Sequence, residues 1–579
     1  MNLEAIQHRV QSNDAYLVVD NKVLLKLRAK KEDLKQVKLF YCDKYKKING
    51  QAEMKSVVLE SKYSDELYEY YEATIEFDGI SLAYYFQLDD GAERLNFCRK
   101  GVTKEEVTGE GEMFIMANFS PDNLFNIPDW HREAVVYQIF PDRFQRGSDF
   151  NVTEKITADW NTELEHDTFL GGNLRGIIEE LDYLEELGVN TIYLNPIFKS
   201  NSTHRYDISD YYEIDPMLGT KEDFKELVKK AHARDMKIIL DAVFNHCGLD
   251  FFAFEDVVEN GKESEYTDWF EIHEYPVTKE ATRNPNYKTF GYHYRMPKLI
   301  LSNPETADYF LEVARYWTEE FNIDGWRLDV ADEISPKFWQ QFREEVKAIN
   351  PEILISGEIW YDSNFWLQGD QFDSVMNYPF LEAVEDFFAE KSISPQEFSN
   401  QLGKIRSLYK QQAHQNLWNL IDSHDVPRFL YKCDNDLKSF KLAVLFQMTY
   451  IGVPVIYYGD EVGMLGGTGP QKRESMIWEQ EERNQTVLDY YKRLLEIRAE
   501  NPELIYGQFE ELLIDEENNV YGYQREYNNQ VTTIYLNNSK QTVELELEAE
   551  YVDLLQEENV GPQIELAAKE AVVLQTSEE

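Results

Sequence analysis

The chain has 579 residues, 43% of them apolar and 28% charged, which excludes a disordered chain and predicts about two to four domains around a large buried core. A formal net charge of -49 repels nucleic acid and acidic membrane surfaces, and no run of about 18 uninterrupted apolar residues offers a membrane span. The start, MNLEAIQHRV, lacks a basic stretch followed by an apolar run, and Cys42, Cys98, Cys247 and Cys433 form no CxxC pair, so a cytoplasmic chain with reduced thiols is expected.

The first 120 residues carry short runs rich in Val, Tyr, Phe and Leu, beginning at Tyr16, Val23, Val37, Tyr70 and Leu82. Polar turns at Ile48-Asn49-Gly50 and Asp89-Asp90-Gly91 separate them, a pattern of short antiparallel strands that predicts a β-sandwich. The stretch from Ser120 to Trp130, rich in Pro, Asn and Asp, reads as the way out of that domain.

From Ala134 onward apolar β runs alternate with amphipathic helices, the βα period of an α/β domain. Strands are expected at 135–140, 190–197, 237–244, 325–330, 352–359, 372–377, 416–422 and 453–458. That is the number a (β/α)8 TIM barrel requires. Between them Leu174, Ile177, Ile178, Leu181 and Leu184 share a helical face that ends at Gly188. Thr220 with Asp223 makes a capping-box pattern, and Ser335-Pro336 reads as an N-cap followed by a first-turn proline. The barrel is expected over 121–246 and 303–503, interrupted by an inserted lid domain at 247–302 that is too long for a simple connection. After it, short strands with Asn-rich turns predict a small β-domain over 504–579, with frayed acidic residues at 577–579.

Reactive groups of a parallel barrel belong at the C-terminal ends of its strands. Asp329 ends GWRLDV, Glu358 ends EILISGE, and Asp425 follows NLWNLIDSH. A lone acid in such a place is most often a cap or an ion-pair partner; three of them on strand ends, each in a distinctive string, point to chemistry. Arg327 and Asp329 are two apart on one strand and face the same way, so the guanidinium is expected to keep Asp329 ionised as a nucleophile. The negative Asp329 and a closed cleft should raise Glu358 toward a general acid. Two carboxyls of divergent pKa are what retaining glycoside hydrolysis needs, and Asp425 would stabilise an oxocarbenium-like transition state. No metal or organic cofactor enters this chemistry.

DAVFNH (241–246), GWRLDVADE (325–333), GEIW (357–360) and DSHD (422–425) closely resemble, in order, the four signature regions of the α-amylase family of glycoside hydrolases. The resemblance implies Asp329 as nucleophile, Glu358 as acid/base and Asp425 as third acid. It also implies that His204, Tyr206, Asn245, His246, Arg327, Glu333, Trp360 and His424 bind substrate, with Tyr206 as a stacking platform. EAVVYQIFPDRF (133–144), GYHYRMPKL (291–299) and PVIYYGDEVGM (454–464) look like the neopullulanase, cyclomaltodextrinase and maltogenic amylase group. That likeness implies an intracellular homodimer, joined through the N-terminal domain, which cleaves α-1,4 bonds of cyclodextrins, pullulan or maltooligosaccharides, with α-1,6 cleavage and transglycosylation as further activities.

Three departures from the group's pattern stand beside the signature strings. Ile300 replaces Asn after MPKL, Tyr361 replaces His after GEIW, and Asp332 replaces Asn before Glu333. Some members hold a structural calcium in the loop after PDRF. Here Arg146 and Ser148 occupy two of the expected ligand positions, and an arginine cannot ligate a hard cation, so calcium is expected to be absent despite Asp149 and Asn151. The rival readings are an α-glucosidase or glucanotransferase on short maltooligosaccharides, and a non-catalytic glycan-binding homologue; intact Asp329, Glu358 and Asp425 weigh against the latter.

Overall fold

The structure is a computed structural model that describes all residues except 49–50, 118, 120–123, 149–155, 157, 163, 166–167 and 577–579. The expected turn at Asn49-Gly50, the start of the linker at Ser120, the loop residues Asp149 and Asn151 and the acidic tail lie outside the described residues. Two compact units divide the chain: residues 1–126 with 393–415 and 512–519, and residues 127–392 with 416–511 and 520–579.

In the first unit the strands Ala15–Val19, Lys22–Lys30, Gln36–Asp43, Lys55–Ser64, Tyr68–Glu76, Leu82–Asp89, Arg94–Cys98, Gly101–Thr103 and Phe114–Met116 form antiparallel layers. Lys55–Ser64 bends between them: residues 55–59 pair with Gln36–Asp43, and 60–64 pair with Tyr68–Glu76 across a bulge near Ser61. The two layers enclose Leu25, Leu27, Val37, Leu39, Tyr71, Tyr84 and Phe86. The helix Pro395–Leu408, expected within the barrel, groups with this unit. Its Gly403 lies so close to the strand that a Cβ there would sit 1.9 Å from the Ser64 carbonyl oxygen. Lys26 Nζ donates to the Ser407 carbonyl at 3.3 Å, and the Gln411 N–H donates to Tyr16 Oη at 2.8 Å.

The second unit is built on eight parallel strands: β1 Val136–Ile139, β2 Thr191–Leu194, β3 Lys237–Ala242, β4 Gly325–Leu328, β5 Leu354–Gly357, β6 Ser374–Val375, β7 Trp418–Leu420 and β8 Val453–Tyr457. They hydrogen-bond in the order β6-β5-β4-β3-β2-β1-β8-β7. A parallel bridge between Met376 and Trp418 joins the two ends, closing the barrel. Each strand is shorter than its apolar run. Val136, Tyr193, Ile239, Leu354, Trp418 and Val455 fill one end of the interior, and burial of each such side chain stabilises by about 1.5–3 kcal/mol.

The surrounding helices follow their sequence signals. Gly188 (φ 97°) ends the helix Leu181–Leu187 in the left-handed region. Thr220 and Asp223 exchange both capping-box bonds ahead of Lys221–His232. Pro336 opens Pro336–Ile349, but Ser335 caps it with no side-chain hydrogen bond. The inserted stretch forms the helix Phe252–Asn260 and then an irregular excursion. Isolated bridges tie that excursion down at Phe270–Leu299, Thr289–Pro297 and His246–Lys298. Beyond the barrel, Val520–Tyr527, Gln530–Asn537, Tyr551–Asp553, Glu558–Val560 and Glu570–Thr576 share one antiparallel sheet.

Candidate active site

The ends of β3, β4, β5 and β7 deliver the acidic groups to one place. Register sets Arg327 beside Asp241 on β3, and its guanidinium lies at the centre of a buried cluster. Nη1 donates to Asp241 at 3.0 and 3.2 Å and to Asp329 Oδ1 at 2.9 Å, while Nη2 pairs with Glu358 Oε2 at 2.9 Å. Arg327 is fully buried. An arginine suits this position because its planar fork can serve several carboxylates at once.

Backbone geometry refines the placement. Val330, next after Asp329, adopts φ 46° and ψ 48°, a left-handed conformation that is costly for a β-branched residue. That turn aims its N–H at Glu358 Oε2, 3.0 Å away. Trp360 Nε1 donates to the other oxygen, Oε1, at 3.2 Å, and its ring stacks on Tyr378 with centroids 4.0 Å apart. Asp329 Oδ2 has no hydrogen-bond partner among the described residues, which leaves its lone pairs free for attack.

A cavity of about 610 Å³ opens over these groups, lined by Asp329, Glu358 and Asp425 with His204, Tyr206, His246, Glu333 and Trp360. Asn245, Arg327 and His424, expected as substrate contacts, do not line it. All three are buried behind the wall and reach the cavity through their neighbours. Lys298 bonds both Asn245 Oδ1 and Glu333, the latter at 2.8 Å. Gln138 Nε2 donates to His424 Nδ1 at 2.8 Å, which leaves the His424 proton on Nε2, 2.6 Å from Tyr206 Oη. Tyr206 in turn donates to Asp241 at 3.0 Å, and the Tyr206 and His424 rings lie parallel. The Tyr206 N–H donates to His204 Nδ1 at 3.0 Å.

Wall residues that the sequence did not single out are Phe290, His293 and Met296 of the inserted stretch, Val330, and Arg473. Phe290 stacks on His246 at 5.0 Å. The insertion was legible as a lid, but no spacing in it marks these side chains; Arg473 lies outside all four strings, and its only signal is a Lys-Arg pair in an acidic chain. Of the three departures, Tyr361 and Asp332 meet each other, with a hydrogen bond of 2.7 Å. The Ile300 N–H donates to the Trp269 carbonyl at 2.9 Å.

Electrostatics correct one expectation. Arg327 does act to keep Asp329 ionised, but burial and the facing Glu358 outweigh it, and the Asp329 pKa is raised well above the usual carboxylate range. Burial raises Glu358 too, against Arg327 and with help from Asp425. With both raised, the pair favours carrying one proton at a time. Burial also acts to raise Asp425, but His424 and the cations Arg473, Arg327 and Lys472 prevail and hold it low. His246, pushed down to about 3 by burial and by Lys298, and His424, lowered well below the usual range by burial, are neutral.

In the loop after β1, Arg146 donates to the carbonyls of Leu170 and Ala158 at 2.7 and 3.1 Å, and Ser148 bonds Glu179. Among the described residues no group of three or more His, Cys, Asp or Glu could hold a metal ion, and no helix is long and apolar enough to cross a membrane.

Residues 138–481 match the family described as alpha amylase, catalytic domain, and residues 1–119 match the alpha amylase N-terminal ig-like domain. The chain belongs to the alpha-amylase family. It is a glycoside hydrolase of that family. It is 44% identical over 538 residues to a cyclomaltodextrinase of Thermoanaerobacter pseudethanolicus, an alignment spanning 93% of this chain and 92% of that one. It is also 44% identical to neopullulanase 2 of Thermoactinomyces vulgaris, spanning 94% and 93%. A solved cyclomaltodextrinase superposes with a TM-score of 0.94 at 36% identity, covering 99% of this chain and all of that one.

Proposed function

We propose that this chain hydrolyses α-1,4 glucosidic bonds, and α-1,6 bonds where the cleft admits them, in cyclodextrins, pullulan or maltooligosaccharides, with retention of configuration. The observation that carries the reading is the trio Asp329, Glu358 and Asp425 around one cavity, with Arg327 shared between the first two. In this reading Asp329 Oδ2 attacks the anomeric carbon while Glu358 protonates the departing oxygen, and Glu358 then activates water against the glycosyl-enzyme. The proton that the pair carries leaves with the departing oxygen as the bond from Asp329 to carbon forms. Asp425, held as an anion, stabilises positive charge on the sugar ring.

Substrate recognition falls to Tyr206 as a stacking surface, to His204, His246, Glu333 and Trp360 as wall contacts, and to Asn245, Arg327 and His424 as groups that orient them. Trp360 and Tyr361 stand about half exposed beside Glu358, a platform on which a sugar can replace water as acceptor, which favours transglycosylation as a second activity. The exposed Tyr45, Leu67 and Ile80 of the N-terminal unit favour a homodimer through that domain. Four free, buried cysteines fit a cytoplasmic setting, and Arg146 favours a loop without calcium.

Product analysis with β-cyclodextrin, pullulan and maltotriose tests the substrate class; absence of ring opening removes cyclodextrins from it. Asp329→Asn is expected to lose on the order of 10⁴-fold or more of turnover on a nitrophenyl maltoside. Wild-type turnover in that variant refutes the assigned chemistry. Light scattering at micromolar concentration reads the dimer, and metal analysis of protein prepared without chelator reads the calcium.

A further inference from the structure

The inner cleft contains one more acid than cation. Asp241, Asp329 and Glu358 surround Arg327, and Asp425 is held by the segment Gly469–Arg473. There Arg473 Nη2 lies 3.2 Å from Asp425 Oδ1, Arg473 Nε donates to the His424 carbonyl at 2.8 Å, and Lys472 Nζ donates to the Asp425 carbonyl oxygen. Several neighbouring groups add no net charge to this inventory. His246 and His424 are neutral, Tyr193, Tyr206 and Tyr378 are protonated phenols, and Lys298 cancels Glu333 at 2.8 Å. Asp332 stands further out and is bound to the exposed Tyr361.

With all four inner acids ionised the cluster would hold an uncompensated negative charge in a buried site, which is expensive. With one proton it is neutral. We infer that Lys472 and Arg473 are positioning residues that fix the cleft at one proton: they hold Asp425 as the anion and leave that proton to the Asp329–Glu358 pair, where the bond is broken. The inference rests on the division of labour proposed above. It assigns function to a segment that lies outside the barrel strands and contributes no reacting atom.

Asp425 is faced by Ser423 and His424 of its own loop, by Arg327 and Asp329 at the end of β4, Glu358 of β5 and Tyr378, and by Lys472 and Arg473. Arg473 also braces the His424 backbone, so Lys472 is the cleaner target. Removing its charge weakens the ionised form of every nearby carboxylate. The acidic limb of kcat/KM, where a needed carboxylate is lost, must then move to higher pH, and the alkaline limb, where the proton of the pair is lost, must follow it.

The experiment is a pH profile of kcat/KM on p-nitrophenyl α-maltoside for the wild type, Lys472→Gln, Lys472→Met and Lys472→Arg. Both neutral variants are expected to shift the acidic limb upward by about one pH unit, with a smaller upward shift of the alkaline limb, and Lys472→Arg to return both toward wild type. Two neutral replacements are used so that a folding defect in one leaves the other to be read. Limbs that stay in place while only the amplitude falls would mean that Lys472 merely braces the loop, and a shift that Lys472→Arg does not reverse would remove its charge as the cause. Asp329→Asn reads the catalytic assignment separately: its inactivity together with unmoved limbs in the Lys472 variants overturns this inference alone.

Discussion

Replacing Arg327 with Met tests whether the cleft is held together by charge or by shape. Each contact of about 3 Å between Arg327 and Asp241, Asp329 or Glu358 is worth about 5 kcal/mol gross at an effective dielectric of ~20. Much of this is offset by the cost of burying the guanidinium, and removal of one partner from a buried ion pair costs about 3–5 kcal/mol net. The methionine fills much of the space but leaves three buried acids without their cation, so their folded pKa values, already raised, rise further. An acid whose pKa is higher folded than unfolded destabilises the fold only where the unfolded chain would be ionised. The loss should therefore be nearly absent below about pH 4, grow as pH rises through the folded values, and be complete above them. Urea unfolding at pH 5 and pH 8 reads this directly. All ten tryptophans lie in the barrel unit, so their fluorescence follows that unit alone. A loss of equal size at both pH values, or one below about 1 kcal/mol at pH 8, would refute the electrostatic account.

Gly403→Ala places a methyl 1.9 Å from the Ser64 carbonyl oxygen, so it should destabilise the N-terminal unit by about 2 kcal/mol or more, seen by calorimetry while the tryptophan-reported transition stays put. Phe290→Ala removes the ring stacked on His246 at the cavity wall; KM for maltooligosaccharides should rise by roughly tenfold, a loss of about 1.4 kcal/mol, and an unchanged KM would take the lid out of substrate binding. His8, buried and pushed down to about 4 by desolvation, stays neutral in the fold while the unfolded chain protonates near 6.5, so stability should be lost as pH falls from 6.5 toward 4, by up to about 3 kcal/mol. Calorimetric melting of His8→Gln across that range should show a shallower pH dependence than the wild type; the same slope in both would remove His8 as the cause. Tyr361→Phe deletes an exposed hydrogen bond to Asp332 and should change stability by less than about 1 kcal/mol while altering the ratio of transfer to hydrolysis products.

Barrel strands were legible because each is a short apolar run between helical repeats, and even β6, two residues long, sits inside the run expected for it. Lys55–Ser64 was not, since most of its side chains are exposed and no apolar alternation remains to mark it. The helix Pro395–Leu408 shows its caps in the sequence but not its neighbour: only folding brings Gly403 against Ser64. At the cleft, residue type and strand position brought out the three acids. Whether a residue stands on the wall or behind it depends on distances the sequence does not hold, which is why Asn245, Arg327 and His424 lie one layer deeper than expected. The same limit explains Asp329, because one neighbouring arginine is visible two residues away while its two other buried acidic partners, Asp241 and Glu358, come from strands far apart in the chain.

Val330 shows what such a cleft demands of its backbone. A left-handed valine costs about 1–3 kcal/mol, and glycine would adopt the same torsion without that strain. Selection for heat resistance alone would therefore reach Val330→Gly early, as an easy gain. The replacement would keep the N–H yet free the torsion that aims it at Glu358 Oε2, and the carboxylate would sample more orientations between turnovers. Tolerance of heat and speed of turnover are thus set against each other in one dihedral angle, and a laboratory lineage evolved for stability without an activity screen should drift toward a sturdier, slower enzyme at this position.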